Sequence, residues 1–224
     1  LFQAVASGRI KFIWILSTNP VVSLPEADRV RDALRRCPTV VVSECMADTD
    51  TVRLADIKLP ARTWGEKNGT VTNSERCISR QRPFLDAPGE ARPDWWALAQ
   101  VGRRLGYPDA FDWRHPAQVF AEHAALSGFE NDGRRAFDIS GLATLDQAGY
   151  DALAPVRWPV NRQWPQGRQR LFGDGRFTTD DGRARFVAVT AKLPEDGPRP
   201  GELIMNTGRI RDQWHTMTRT GKAR

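Results

Sequence analysis

Apolar positions follow two periods along this chain, and its first sixty or so residues switch between them. Ile10-Lys-Phe-Ile-Trp-Ile-Leu16 is a nearly continuous apolar, β-branched and aromatic run. That is the pattern of a strand covered on both faces of a parallel sheet. Ahead of it, Leu1–Ser7 reads as the tail of a helix ended by Gly8. After it, Ser23-Leu-Pro-Glu26 spells a capping box with Pro in the first turn. It predicts a helix to about Arg36 with Val30, Ala33 and Leu34 inward. Pro38 stops that helix, and Thr39-Val-Val-Val-Ser43 predicts a second buried strand. Strand, helix and strand at this spacing form a βαβ unit, which calls for a parallel sheet.

The rhythm continues with a helical turn at Asp50–Ala55 and a short third strand at Ile57–Pro60. Residues 61–83 are polar, and they predict a turn at Asn68-Gly69 inside a long Arg-rich loop. Three further helices are predicted. Pro93–Leu105 has Trp95, Leu98, Val101 and Leu105 inward and Gly106 as its stop; Pro116–Leu126 ends by Gly128; Thr144–Leu153 is the third. Beyond Ala154 Pro and Gly become frequent, with strands expected at Arg183–Val189 and Leu203–Met205. The expected organisation is an α/β, Rossmann-like parallel-sheet domain over 1–150, a connecting segment over 151–200, and the start of another domain over 201–224. No internal repeat is visible.

Composition narrows the partners without selecting one. Apolar residues are 40% and charged residues 27% of the 224, a globular balance. Lys and Arg number 33 against 27 Asp and Glu, a net charge of +6. Arg dominates, and its planar fork suits phosphates and carboxylates. Nucleic acid, a phosphate-bearing cofactor and a plain solvated surface all fit this charge. The three cysteines, Cys37, Cys45 and Cys77, make neither a disulfide framework nor a CxxC site, which fits a reducing compartment. No apolar run has the length of a membrane span. The chain begins at Leu1 and ends at Arg224, and it reads as a piece of a longer polypeptide.

In open α/β sheets, ligands bind beyond the carboxyl ends of the strands. There the sequence places Ser17, Thr18 and Asn19, then Ser43 and Glu44, then Trp64–Lys67. Hydroxyls, an amide, a carboxylate and an ammonium suit a nucleotide, although ordinary loop polarity would look the same. No GxGxxG turn follows the first strand, so a standard NAD fingerprint is not supported. A second candidate stretch, Asn206–Gly221, combines a flexible Gly, two Arg, hydroxyls, Gln213, Trp214 and His215. It could hold an anion and stack a flat ring. His115, His123 and His215 lack metal-ligand spacing, and no nucleophile–base set can be assembled. Nothing in the sequence supplies a catalytic centre by itself.

Taken together, four stretches resemble the later half of a molybdopterin oxidoreductase of the dimethyl sulfoxide reductase superfamily, in its assimilatory nitrate reductase branch. They are Trp14–Pro20, Trp64–Arg76, Ala87–Trp95 and Asn206–Gly221, with Tyr150–Pro159 and Gly182–Phe186 also similar. The resemblance implies a bis(molybdopterin guanine dinucleotide) molybdenum cofactor held between domains, with 201–224 opening a β-rich dinucleotide-binding domain. By position it makes Asn19, Ser43, Glu44, Lys67 and Asp94 contacts to the dinucleotide. It adds Thr207, Gly208, Arg209, Ile210, Arg211, Asp212, Gln213, Trp214, His215 and Thr216. Such enzymes commonly carry Asp where this chain has Glu44, so the longer arm must fold back. The 4Fe-4S cluster and the metal ligand belong to the parent enzyme, outside these residues. The implied reaction is reduction of nitrate to nitrite in the cytoplasm, with electrons from a donor protein or subunit and no part for membrane or nucleic acid. A formate dehydrogenase-like or other oxyanion reductase is the alternative within the superfamily. A nucleotide- or nucleic-acid-binding module is the alternative outside it.

Overall fold

A computed structural model describes residues 1–191 and 197–205. Contacts divide the chain into two compact units. The first contains 1–61 and 89–94, with the later residues from Val187; the second contains 62–88 and 95–186. Packing therefore groups 95–150 with 151–186, whereas the sequence reading set a boundary at 150.

The first unit is built on a parallel sheet in the order β1 (Phe12–Leu16), β2 (Thr39–Glu44), β3 (Ile57–Pro60). Registers Leu16↔Ser43 and Glu44↔Pro60 end the three strands at a common edge. Helices α1 (Phe2–Ala6), α2 (Pro20–Ser23) and α3 (Ala27–Arg36) complete the unit. Ile13 and Ile15 pair with Val40 and Val42 on one sheet face, and they form a core with Val5, Val21, Val30, Ala33, Leu34, Cys37 and Val52. Each buried Val, Leu or Ile of this core withdraws enough surface to be worth about 1.5–3 kcal/mol. β1 departs from the both-faces expectation. Ile13 and Ile15 are buried, but Phe12 is 55% exposed and Trp14 half-buried, so the strand alternates.

The capping box at Ser23 does not form. Ser23 belongs to α2, where its N–H bonds the Asn19 carbonyl at 2.9 Å, so it is already helical where a cap must be extended. Glu26 caps α3 instead, at φ 56° and without a side-chain cap bond. The turn expected at Asp50–Ala55 is a 3-10 turn over Val52–Leu54.

In the second unit the Arg-rich loop is largely a hairpin. β4 (Gly69–Thr72) pairs antiparallel with β5 (Cys77–Gln81), and β6 (Val156–Arg157) adds to β5. Three helices follow: α4 (Asp94–Arg104), α5 (Pro116–Gly128) and α6 (Gln147–Asp151). The core comprises Ile78, Ala117, Phe120, Ala124, Ile139, Leu142, Tyr150 and Val160. α4 is turned from its expected orientation. Its buried positions are Ala99 and Gly102, while Leu98, Val101 and Leu105 are exposed. A Cβ at Gly102 would stand 2.4 Å from the Phe111 ring, so the helix packs through its smallest residues. Arg183–Val189 and Leu203–Met205 form no strand, and Phe186, Val189 and Leu203 are largely exposed. Each lacks a ladder partner among the described residues, and an unpaired extended segment has no bonds to hold it as a strand.

Candidate functional site at the carboxyl edge of the parallel sheet

The first unit gathers its candidate residues along the edge where β1, β2 and β3 end. The Ser17 N–H donates to the Ser43 carbonyl at 3.1 Å, and the Ala61 N–H donates to the Glu44 carbonyl at 3.2 Å. Ser17 makes this exit at φ 57°, a left-handed conformation uncommon outside Gly, Asn and Asp. The segment 89–94 reaches the same edge, because Ala61 and Arg92 form a parallel bridge and the Arg92 N–H donates to the Pro60 carbonyl at 3.0 Å. Asp94 follows directly and starts α4. Asn19, Ser43, Glu44 and Asp94 are thus brought to one sheet edge by residues up to 75 positions apart (94 − 19).

Their partners differ. Asn19 is buried, and its Oδ1 accepts the Thr51 N–H at 3.2 Å and the Thr51 hydroxyl at 2.6 Å. The Ser43 hydroxyl is also buried and accepts the Trp14 indole N–H at 2.8 Å. The Glu44 carboxylate folds back on its loop, where Oε1 accepts the N–H groups of Cys45 at 2.8 Å and Met46 at 3.3 Å. The Cys45 thiol lies 3.1 Å from the same oxygen. Further along the loop Arg53 holds Asp48 with two bonds of 2.6 and 2.8 Å. The hydrogen bond from Arg53 keeps the Asp48 carboxyl below its ordinary value.

Lys67 belongs to the second unit, where it follows a short turn at Trp64–Glu66. That turn carries a capping box between Thr63 and Glu66, with the Thr63 N–H donating to Glu66 Oε2 at 2.9 Å. Thr207–Thr216 lie outside the described residues. His115 caps α5 by accepting the Ala117 N–H on Nδ1 at 3.2 Å, and the His123 ring sits 5.6 Å from that of Phe137. Among the described residues no group of three or more His, Cys, Asp or Glu could hold a metal ion, and no helix is long and apolar enough to cross a membrane.

Sequence reasoning missed Thr51 and Trp14. Trp14 carries no signal beyond a strand period, in which it reads as core. Thr51 stands in the polar run Thr49-Asp50-Thr51, where nothing marks a fully buried side chain.

Amide, hydroxyl and carboxylate groups thus collect at the carboxyl edge of a parallel α/β sheet, the place where open α/β folds bind ligands. The family model for molybdopterin oxidoreductases matches residues 1–104. A nitrate reductase of Klebsiella oxytoca is 55% identical over 99% of this chain and 25% of its own length. An F420-dependent formate dehydrogenase subunit alpha of Methanocaldococcus jannaschii is 34% identical over 97% of this chain and 30% of its own. Among solved structures, acetylene hydratase from Pelobacter acetylenicus shares the fold, with a TM-score of 0.57 and 19% identity over 81% of this chain and 23% of that one. The chain is thus similar to molybdopterin oxidoreductases, whose family model covers its first 104 residues. It spans about a quarter of the length of the nitrate reductase it matches.

The family match implies a molybdenum-pterin cofactor, and the hydroxyl, amide and carboxylate groups at this edge are chemically able to meet a nucleotide extension of it. A guanine edge presents adjacent N–H donors, which a carboxylate such as Asp94 or Glu44 accepts in pairs. The hydroxyl and amide of Ser43 and Asn19 suit ribose and phosphate oxygens. Cationic groups for the phosphates are assigned by sequence to Lys67, in the second unit, and to Arg209, outside the described residues.

Proposed function

We propose that this chain supplies part of the pocket for bis(molybdopterin guanine dinucleotide) in an enzyme that reduces nitrate to nitrite. The observation that carries the reading is the convergence of Asn19, Ser43, Glu44 and Asp94 at one sheet edge, in a chain 55% identical to a nitrate reductase. Asn19, Ser43, Glu44 and Asp94 hold the guanine nucleoside. Residues 201–224 open the domain that closes on it. When bound, the cofactor supplies two-electron oxygen-atom transfer. The work of this chain is to bind and orient it. The metal ligand, the 4Fe-4S cluster and the docking of an electron donor belong to other parts of the parent polypeptide, which acts in the cytoplasm on nitrate.

A formate dehydrogenase-like activity is the second reading, favoured by the 34% identical methanogen subunit. The two separate in one assay of the full-length parent with nitrate and reduced viologen, or with formate and oxidised viologen. Nitrate turnover is expected, together with guanosine monophosphate released by acid at a constant ratio to molybdenum. Formate oxidation without nitrate reduction overturns the substrate assignment. Nitrate turnover by residues 1–224 alone overturns the claim that they provide only part of the pocket.

A further inference from the structure

We infer that Arg62 and Trp95 form an oxyanion site in the second unit, which takes a phosphate-class group through two side-chain N–H donors. Both residues belong to that unit and both are half-buried. Arg62 Nε and Trp95 Nε1 are nevertheless withdrawn from solvent and meet no hydrogen-bond partner. Each has lost water without gaining an acceptor, a deficit that folded proteins rarely carry without something to relieve it. A guanidinium and an indole can only donate, so an acceptor is what both positions lack. Arg80 Nε is enclosed in the same way, but the other nitrogens of Arg80 are held by Gly69, Asn68 and Asp151, and its guanidinium lies over Tyr150. Arg62 has no such holders: no ion pair or hydrogen bond joins its side chain to any of the described residues.

The two donors arise on adjacent segments. Ala61 and Arg92 form a parallel bridge, so both segments leave it in the same direction. Arg62 follows directly, and Trp95 comes three residues on, in the first turn of α4. The acids nearest to Arg62 in sequence are committed elsewhere. Glu66 Oε2 accepts the Thr63 N–H at 2.9 Å to close a capping box, and Asp56 Oδ2 accepts the Val40 N–H at 2.7 Å. A fixed positive charge and a neutral donor, both short of acceptors, select a negative group with at least two oxygens. A metal ion is repelled, and a sugar hydroxyl lacks the charge. The carboxylate of Asp94, which opens the same helix, is the opposing influence, and it restricts the site to ligands that bond the guanidinium directly. A phosphate-class oxyanion meets these terms from either of two sources, a phosphate of the proposed cofactor or free inorganic phosphate.

Inorganic phosphate is the probe, titrated by calorimetry into the full-length protein with and without cofactor, beside acid-released guanosine monophosphate per polypeptide. Cofactor-free wild type is expected to bind phosphate, and Arg62→Gln to weaken that binding at least about ten-fold as a charge-assisted bond is lost. Arg62→Lys should fall between the two, since it keeps the charge without the fork. Trp95→Phe should weaken binding by a smaller factor than Arg62→Gln, and an unchanged affinity there overturns the pairing of the two donors. If the cofactor is the source, loaded protein takes up no phosphate and Arg62→Gln lowers guanosine monophosphate content about ten-fold. If free phosphate is the source, loaded and cofactor-free protein bind it alike and content is unchanged. The melting temperature of cofactor-free Arg62→Gln should equal or exceed that of wild type, because an uncompensated charge has been removed. A marked fall, or failure to fold, overturns the inference, since a carboxylate elsewhere in the parent polypeptide would then already neutralise Arg62. Phosphate binding that survives Arg62→Gln overturns it too, as does no binding in any form with wild-type content in that variant. Only the cofactor source rests on the dinucleotide reading, and in each of these failures a loss of guanosine monophosphate in Glu44→Gln leaves that reading standing.

Discussion

Replacing Arg80 should loosen the β4–β5 hairpin far more than its ion pair alone would suggest. The Arg80 side chain is 2% exposed, and its guanidinium lies 3.8 Å from the centre of the Tyr150 ring. It donates to the Gly69 carbonyl, to Asn68 Oδ1 at 2.8 Å and to Asp151 Oδ1 at 3.0 Å. Asp151 is 48% exposed, so water takes over much of that partnership and the pair is worth about 1 kcal/mol or less. The cation–π contact adds about 1–2 kcal/mol, and each charge-assisted bond to Asn68 and Gly69 about 1.5–3 kcal/mol. These terms overlap, and a total of about 3–4 kcal/mol for Arg80→Ala is in the range for breaking a buried charged cluster. Amide hydrogen exchange across the hairpin reads this locally in the full-length protein, at pairs such as Val71↔Ser79 and Thr72↔Ile78. Arg80→Ala should lower protection there by about 100-fold or more. Arg80→Lys should fall between, keeping the charge and losing the fork. Asp151→Asn should change protection by less than about five-fold. An Asp151→Asn effect as large as that of Arg80→Ala would refute the reasoning, because the exposed ion pair would then carry the stability.

Three further outcomes follow from the same geometry. Burial pushes the Asp138 carboxyl up, but the hydroxyl and N–H of Ser140, the Asn161 amide and the Arg135 charge together hold it below its ordinary value. A depressed folded-state pKa contributes stability above the unfolded value and loses it as pH falls through the folded one; Asp138→Asn should therefore flatten the acid limb of a stability-versus-pH curve below about pH 4 and leave its neutral-to-alkaline shape unchanged. Gly102→Ala forces a methyl to within 2.4 Å of the Phe111 ring and should cost about 1–3 kcal/mol in urea unfolding, with Phe111→Leu in the same chain recovering part of it; additive costs would show that the two residues do not meet. Trp14→Phe removes the indole donor from Ser43, and a loss of about 1 kcal/mol is expected from denaturant titration, against no change if that bond is idle.

Where local pattern and tertiary packing agree, the fold was legible in the sequence. β2 and β3 lie where their apolar runs place them, and α5 starts at Pro116 as its pattern predicts. The misses share a cause: each needed a partner that spacing does not reveal. β4 and β5 hide in a polar stretch because a hairpin with half-buried faces carries few apolar residues, and Arg80, the most Arg-like loop signal, is in fact buried against Tyr150. α4 turned because Ala99 and Gly102 admit a closer approach than Leu98 and Val101. The period of large apolar residues points outward there.

The site divides along the same line. That Asn19, Ser43 and Glu44 fall at strand ends follows from the βαβ pattern, since parallel strands must finish at one edge. Asp94 could not be placed this way, because it arrives through a bridge between Ala61 and Arg92. What each group presents to a ligand is less legible still. Ser43 and Asn19 are amphoteric, and the indole of Trp14 and the N–H and hydroxyl of Thr51 fix which atoms of each accept from the protein. Both partners sit on neighbouring segments at separations of 29 and 32 residues. The polar atoms of the edge residues are therefore held by residues that spacing along the chain does not reveal. A Thr51→Val substitution should remove the hydroxyl bond to Asn19 Oδ1 and cost about 1 kcal/mol in denaturant titration, and no loss would show that this bond is idle.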